Sequence, residues 1–266
     1  MTVIVSDEQA RGFARDLYTA RRDREPIAAF TEAMPDLGME DGYAIQTHLV
    51  RMLLDDGESI CGYKLGLTSS AMQQLLGVDS PDFGPVFAST VYRDGIEIPV
   101  DRFIAPRIEA EIGVILDADL TGPYCTPADA TRATGGLVAA LEIVDSRIKD
   151  WKIKLADTVA DLASNGAIAL SSQVVPADGL DPRLIGMVFT RNGEVVATGA
   201  GAAALGDPMA AVAWLANTLA PMGVTLPAGS VIMTGALHAM VPVTPGDVFR
   251  ADFDRLGPIT IRMAKE

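Results

Sequence analysis

The sequence predicts a β-rich α+β protein, with an N-terminal helical segment over residues 1–56 and a strand-dominated single structural unit over residues 57–266. Three observations carry the expectation. Apolar residues recur at helical spacing near the N-terminus, short apolar runs separated by turn residues take over from Ile60, and no linker rich in Gly, Ser or Pro divides the chain.

Taken in order, Ser6 or Asp7 caps a first helix bearing Phe13, Leu17 and Tyr18, and a second runs from about Met39 to Leu54 with Ile45, Leu49, Met52 and Leu53. Pro26 and Pro35 make their connection irregular. Hairpins or turns are expected at Arg93-Asp94-Gly95, Arg191-Asn192-Gly193-Glu194 and Thr244-Pro245-Gly246-Asp247, with Asn192-Gly193 the strongest hairpin signal because both residues tolerate positive φ. Short helices are placed from Ser69 to about Gly77 and from Thr126 onward, and a longer one from its cap Asp207 through Pro208 to about Met222. No Asp, Glu, Lys or Arg occurs from Pro208 to Gly246. Because Asn217, Pro221, Gly223, Pro227 and Gly229 interrupt that stretch, it reads as a buried helix and a buried strand, a candidate subunit interface, rather than a membrane span.

Composition narrows the function classes. The 266 residues are 49% hydrophobic, which supplies ample core, and the net charge of −14 repels nucleic acid and anionic membranes. The longest basic cluster is Arg21-Arg22-Asp23-Arg24. Only Cys61 and Cys125 occur, and the N-terminus lacks the charged and long apolar regions of a signal peptide, so a reducing cytoplasm is expected. His48 and His238 are the only histidines, which leaves oxygen ligands and a hard ion, magnesium or manganese, for any metal site. Gly199-Ala200-Gly201-Ala202-Ala203-Ala204 lacks the strand-helix context and the downstream acid of a dinucleotide fingerprint, and nothing calls for an organic cofactor.

Chemistry concentrates in two apolar strands. In Arg107-Ile108-Glu109-Ala110-Glu111-Ile112, the alternation of a strand points Glu109 and Glu111 to one face, roughly 6–7 Å apart, and puts Ile108, Ala110 and Ile112 on the other. Glu142 interrupts a second buried run, Leu137-Val138-Ala139-Ala140-Leu141-Glu142-Ile143-Val144. Such acids either form a solvated face or converge on a cation. Lys64, among apolar residues and glycines, either snorkels from an edge or faces the same cavity. Asp79 and Asp82 occupy a run of turn formers, and Asp145, Arg147, Asp157, Asp161 and Ser164 supply polar groups suited to a cleft rim or a solvated face.

Together, Gly62-Tyr63-Lys64-Leu65-Gly66-Leu67-Thr68-Ser69, Gly77-Val78-Asp79-Ser80-Pro81-Asp82-Phe83-Gly84, Arg107–Ile112, Ala140–Trp151 and Asp157-Thr158-Val159-Ala160-Asp161 resemble the 2-hydroxypenta-2,4-dienoate hydratases of the fumarylacetoacetate hydrolase superfamily. The resemblance covers the chain from about residue 40 onward. It implies a mixed β-roll around a divalent ion held by Glu109, Glu111 and Glu142, and catalytic or substrate-contacting roles for Lys64, Asp79, Asp82 and Ser164. It further implies a homo-oligomeric hydro-lyase of aromatic meta-cleavage catabolism, acting on a small 2-oxo or 2-hydroxy dienoate. The alternatives are the similar 4-oxalocrotonate decarboxylase or a non-catalytic partner subunit of it. Leu162 and Asn165 depart from the resemblance, and a substrate pocket floored by Asp82 and Phe83, with Leu67 also covering an apolar tail, is expected to favour hydration.

Overall fold

A computed structural model describes residues 3–69, 73, 78 and 80–265. Most of the helix expected between Ser69 and Gly77, and Asp79, lie outside the described residues.

The N-terminal segment forms helices Asp7–Asp23 and Met39–Asp55. Ser6 caps the first, its hydroxyl accepting from the Gln9 amide while the Gln9 side chain accepts from the Ser6 amide. Leu17, Phe30, Ile45, Leu49 and Leu53 make a small core with Phe87, Ile148, Ala156 and Leu162, so the helices share their interior with residues far along the chain. Asp157 ties the connection down by accepting from the Thr31 amide at 3.1 Å and the Thr31 hydroxyl at 2.6 Å.

Beyond Ile60 the chain builds two sheets. The first contains β1 (Ile60–Gly66), β2 (Asp82–Phe87), β3 (Val91–Arg93), β5 (Arg107–Leu116), β6 (Thr134–Val144), β7 (Asn165–Val175) and β10 (Val231–Ala236) in the order β2-β1-β10-β5-β6-β7-β3, with β11 (Val241–Pro242) paired to β5. The second runs β4-β13-β12-β8-β9, from β4 (Glu97–Pro99), β13 (Gly257–Ala264), β12 (Val248–Phe253), β8 (Gly186–Arg191) and β9 (Glu194–Ala200). The β-rich α+β architecture with N-terminal helices matches the expectation from the sequence.

The face of β5 carrying Ile108, Ala110, Ile112, Val114 and Leu116 is sealed in the core with Phe189, Phe249, Ile259 and Ile261 of the second sheet. Burial of each large aliphatic side chain there contributes about 1.5–3 kcal/mol. Asn192-Gly193 forms the β8–β9 hairpin. The turns at Asp94-Gly95 and Pro245-Gly246 instead carry the chain from one sheet to the other. Helix Pro208–Leu219, capped by Asp207, stops earlier than expected, and Ala220–Met222 continues as a 3-10 turn because Pro221 cannot extend the amide ladder. This helix and β10 are buried within the chain, which accounts for the missing charge without invoking a subunit interface. Among the described residues no helix is long and apolar enough to cross a membrane.

Candidate metal and proton-transfer site

Six strands that are consecutive in the first sheet each contribute one piece of a single site. In sheet order these are Asp82 on β2, Lys64 on β1, Gly235 on β10, Glu109 and Glu111 on β5, Glu142 on β6 and Asn165 on β7. Antiparallel pairing sets Glu109 directly opposite Glu142, two residues from Glu111, so that one carboxylate oxygen of each lies within 4.8 Å of the others. The register therefore achieves what the spacing of Glu109 and Glu111 only hinted at.

Each acid is oriented by a donor from a neighbouring strand. Glu142 Oε1 accepts from Asn165 Nδ2 at 3.1 Å and faces Lys64 Nζ at 3.3 Å. Glu111 Oε2 accepts from the Gly235 amide at 2.8 Å, an amide that β10 turns inward at an irregularity where Gly235 takes φ +115°. Glycine is required there for a second reason, since a Cβ would stand 2.1 Å from the Thr68 hydroxyl. Lys64 Nζ also donates to the Ala163 carbonyl at 2.8 Å. Asp82 lies opposite Gly66 in the β1–β2 ladder, and a Cβ on Gly66 would stand 2.1 Å from Asp82 Oδ1 and 3.4 Å from Lys64 Nζ. The bare glycine leaves room for this acid and this cation to approach the same space.

The charges do not balance. Among the described residues four acids, Asp82, Glu109, Glu111 and Glu142, surround one ammonium group, and Asp82 Oδ1, Glu111 Oε1, Glu142 Oε2 and Asn165 Oδ1 are buried with no hydrogen-bond partner. Burial, then the neighbouring Glu142, pushes Glu109 up to about 8, and burial followed by Glu142 and Glu109 pushes Glu111 well above the usual range. Burial also raises Glu142 and Asp82, with Lys64 opposing in each case. For Lys64 burial acts to lower the pKa, but Glu142, Asp82, Glu109 and Glu111 outweigh it, so the ammonium stays charged. Two buried carboxylate oxygens without donors, on acids held close against their repulsion, form a donor set of hard oxygens that fits a divalent cation of the magnesium or manganese kind.

The Ala163 carbonyl is presented by an unusual backbone. Leu162, Ala163 and Ser164 all have positive φ, 58°, 52° and 55°, a single left-handed turn built without glycine. Such residues cost about 1–2 kcal/mol each, so flanking contacts must hold them. Asp161 supplies these by accepting from Arg147 N at 2.8 Å and Arg147 Nε at 2.5 Å, while its carbonyl accepts from Arg147 Nη2 at 2.8 Å. Asp145 accepts from the amides of Ile104 and Ala105 at 3.0 and 2.8 Å. Asp145, Arg147, Asp157 and Asp161 are thus buried fasteners and not a solvated face, because backbone amides and Arg147 satisfy them, although Asp145 and Arg147 also line a pocket.

Of the residues singled out from the sequence, Lys64, Asp82, Glu109, Glu111 and Glu142 come together. Ser164 is buried between Ala163, whose carbonyl receives Lys64, and Asn165, which holds Glu142, and its own hydroxyl pairs with that of Thr158 at 3.1 Å. Asp79 lies outside the described residues. The pocket expected to be floored by both Asp82 and Phe83 does not form, because successive strand residues face opposite ways: the Phe83 ring stacks on Tyr43 at 4.6 Å and meets Tyr63 and Trp214 edge-on. Asn165 was visible only as an oddity of sequence, and the Gly235 amide, being backbone, left no side-chain signal.

Comparison with known proteins places this geometry. The profile of the family described as fumarylacetoacetate (FAA) hydrolase C-terminal matches residues 65–264. A 2-keto-4-pentenoate hydratase of Paraburkholderia xenovorans is 44% identical over 96% of this chain and 95% of its own, and a 2-oxo-hept-4-ene-1,7-dioate hydratase of Escherichia coli is 39% identical over 94% and 96%. Among solved structures, a 4-oxalocrotonate decarboxylase of Pseudomonas putida complexed with magnesium and adipate superposes with a TM-score of 0.95 at 35% identity, covering 98% of this chain and all of the other.

Proposed function

Because the chain belongs to the fumarylacetoacetate hydrolase C-terminal family, we propose that it is a divalent-metal-dependent hydro-lyase that adds water to 2-hydroxypenta-2,4-dienoate to give 4-hydroxy-2-oxopentanoate. The observation that carries the reading is the converging acid trio, in which Glu111 and Glu142 are buried with unpartnered oxygens and Glu109 is half-buried, beside a charged Lys64. The hydratases 44% and 39% identical over nearly the whole chain favour hydration as the reaction class.

Glu109, Glu111 and Glu142 would hold the ion. When bound, it supplies Lewis-acid stabilisation of negative charge on the substrate's 2-oxygen and carboxylate. Water can add only after the dienol has become an α,β-unsaturated ketone, which requires a proton at C5 and loss of the 2-hydroxyl proton. Asp82 suits that transfer: burial raises its pKa, and its Oδ1 has no partner to compete for the proton. Asp82 then recovers a proton from the water that adds at C4, while the 2-hydroxyl proton leaves to solvent and solvent returns one to C3 when the enolate formed by water addition collapses to the ketone. Lys64 cannot serve as a base while it stays charged. It faces the developing enolate as a fixed cation, anchored on Ala163 and Glu142.

A second reading is decarboxylation, favoured by the structural match to the decarboxylase and sharing the same enolate stabilisation. The dioate named for the Escherichia coli hydratase carries two carboxylates, so a second carboxylate does not by itself separate the two reactions. Pure protein with manganese, given 2-hydroxypentadienoate and 2-oxo-3-hexenedioate separately, should hydrate the first faster than it releases carbon dioxide from the second. The reverse order would assign it to decarboxylation. Self-association and residence in the cytoplasm belong to the same proposal, and a mass near that of one chain in light scattering would remove the first.

A further inference from the structure

Beside the start of β7, a pocket of about 260 Å³ is lined by Arg21, Arg24, Arg102 and Arg147 together with the hydroxyl-bearing Ser89 and Tyr92. Four guanidinium groups around one cavity are unexpected in a chain of net charge −14. The basic end of helix Asp7–Asp23 complements the helix dipole, but that does not explain why Arg102 and Arg147, from distant parts of the chain, converge there.

The acids of the pocket, Asp145 and Glu58, accept from neutral donors, and Asp145 also lies 4.0 Å from Arg147. Asp145 accepts from the Ile104 and Ala105 amides, and Glu58 accepts from the Ser89 hydroxyl at 2.7 Å. Arg147 is taken by Asp161, and outside the pocket Arg22 is taken by Asp23. Arg21, in contrast, donates to the Asn165 carbonyl at 3.3 Å and Arg102 donates to the Tyr92 hydroxyl at 2.5 Å; Glu58, Asp145 and Asp161 act on Arg21 and Asp23 on Arg24 only at longer range, with no direct ion pair to Arg21, Arg24 or Arg102 among the described residues. Burial and the adjacent Arg147 pull the Arg21 guanidinium down to about 10, against the opposing pull of Asp161, Glu58 and Asp145.

We propose that this pocket binds a small oxyanion, a carboxylate or a phosphate, held by the guanidinium groups of Arg21, Arg24 and Arg102. Guanidinium forks match the paired oxygens of both anions, and a cavity of this volume accommodates either. The ligand would be one residue removed from the metal-site acids, because Asn165 receives Arg21 on its carbonyl and holds Glu142 with its side chain.

Calorimetric titration with inorganic phosphate and, separately, with acetate tests this, with ionic strength held constant by sodium chloride and each titration repeated with a chelator. Saturable binding of either anion that survives the chelator, and that weakens at least tenfold in the Arg24→Gln/Arg102→Gln double variant, is expected; which anion saturates identifies the source. Both replaced residues are exposed, so an unchanged circular dichroism spectrum should confirm the fold. Absence of saturation with both anions, binding equally strong in the double variant, or binding abolished by the chelator would overturn the proposal.

Discussion

Two buried clusters of charge lie a few residues apart in this protein, and they are built on opposite rules. Around Arg147, the carboxylates of Asp145 and Asp161 are filled by backbone amides and a guanidinium, and none of their oxygens is left without a partner. Around Glu142, four acids face one ammonium group, and four buried side-chain atoms remain unpaired. The first cluster is complete as the chain folds. The second is complete only if something is added. Burial alone therefore does not separate a structural charge from a functional one, whereas unmet hydrogen-bonding capacity does.

The largest expected effect sharpens that contrast. Glu111→Gln should lower manganese affinity and turnover by more than the roughly 10–100-fold that loss of an outer partner causes. Since burial and the neighbouring Glu142 and Glu109 shift Glu111 toward its neutral acid form, glutamine mimics that form, and urea unfolding of chelator-treated protein should change by less than about 1 kcal/mol. A large loss of metal-free stability would break the comparison. Arg147→Met should do the converse. It orphans Asp161 and frees the left-handed turn, so unfolding free energy should fall by about 3–5 kcal/mol. Retention of parental stability would show that the turn stands without its fastener.

Next in size is a pH effect whose sign depends on metal. The folded state holds the Glu109 proton to about pH 8, whereas an unfolded glutamate releases it near its ordinary value of 4.5. The unfolded state thus binds fewer protons across this window, and metal-free stability should decline as pH rises from about 4.5 to about 8. Manganese competes with those protons, so its stabilisation should grow over the same range. Urea midpoints measured with chelator and with manganese should diverge as pH increases; parallel curves would argue against the acid trio as the ligand set. The smallest effect is expected at Asn165. Asn165→Ala removes one hydrogen bond from Glu142 Oε1 and should weaken manganese binding about tenfold while leaving the unfolding midpoint near the parent's, as read by metal titration and urea melts.

What could be read from the sequence follows the same division. Period-two patterning exposed the shared face of Glu109 and Glu111, and a lone acid in an apolar run exposed Glu142, because a strand's side-chain alternation is local information. The helix caps at Ser6 and Asp207 and the Asn192-Gly193 hairpin were legible for the same reason. Long-range register was not. Nothing in the sequence alone pairs Asp82 with Gly66, turns the Gly235 amide toward Glu111, or sends Phe83 away from the site. The left-handed turn at Leu162-Ala163-Ser164 also gave no warning, since it contains neither the glycine nor the asparagine that ordinarily marks positive φ. Its cause lies in Arg147 and Asp161, whose polar character had suggested a rim.

The six-strand origin of the site bears on how the molecule comes to exist. Its parts enter the chain in the order Lys64, Asp82, Glu109 and Glu111, Glu142, Asn165 and Gly235, yet β10, close to the end, inserts between β1 and β5. The β5–β6 pairing alone can bring Glu109, Glu111 and Glu142 together, but a growing chain cannot supply the Gly235 amide or join the Lys64 strand to them until this last central strand has arrived. Pairings of such separation form slowly because loop-closure entropy precedes their reward. Completion of the site thereby becomes a late event in the life of the polypeptide, and the proposed ion would act as a seal on a finished sheet rather than a seed for it.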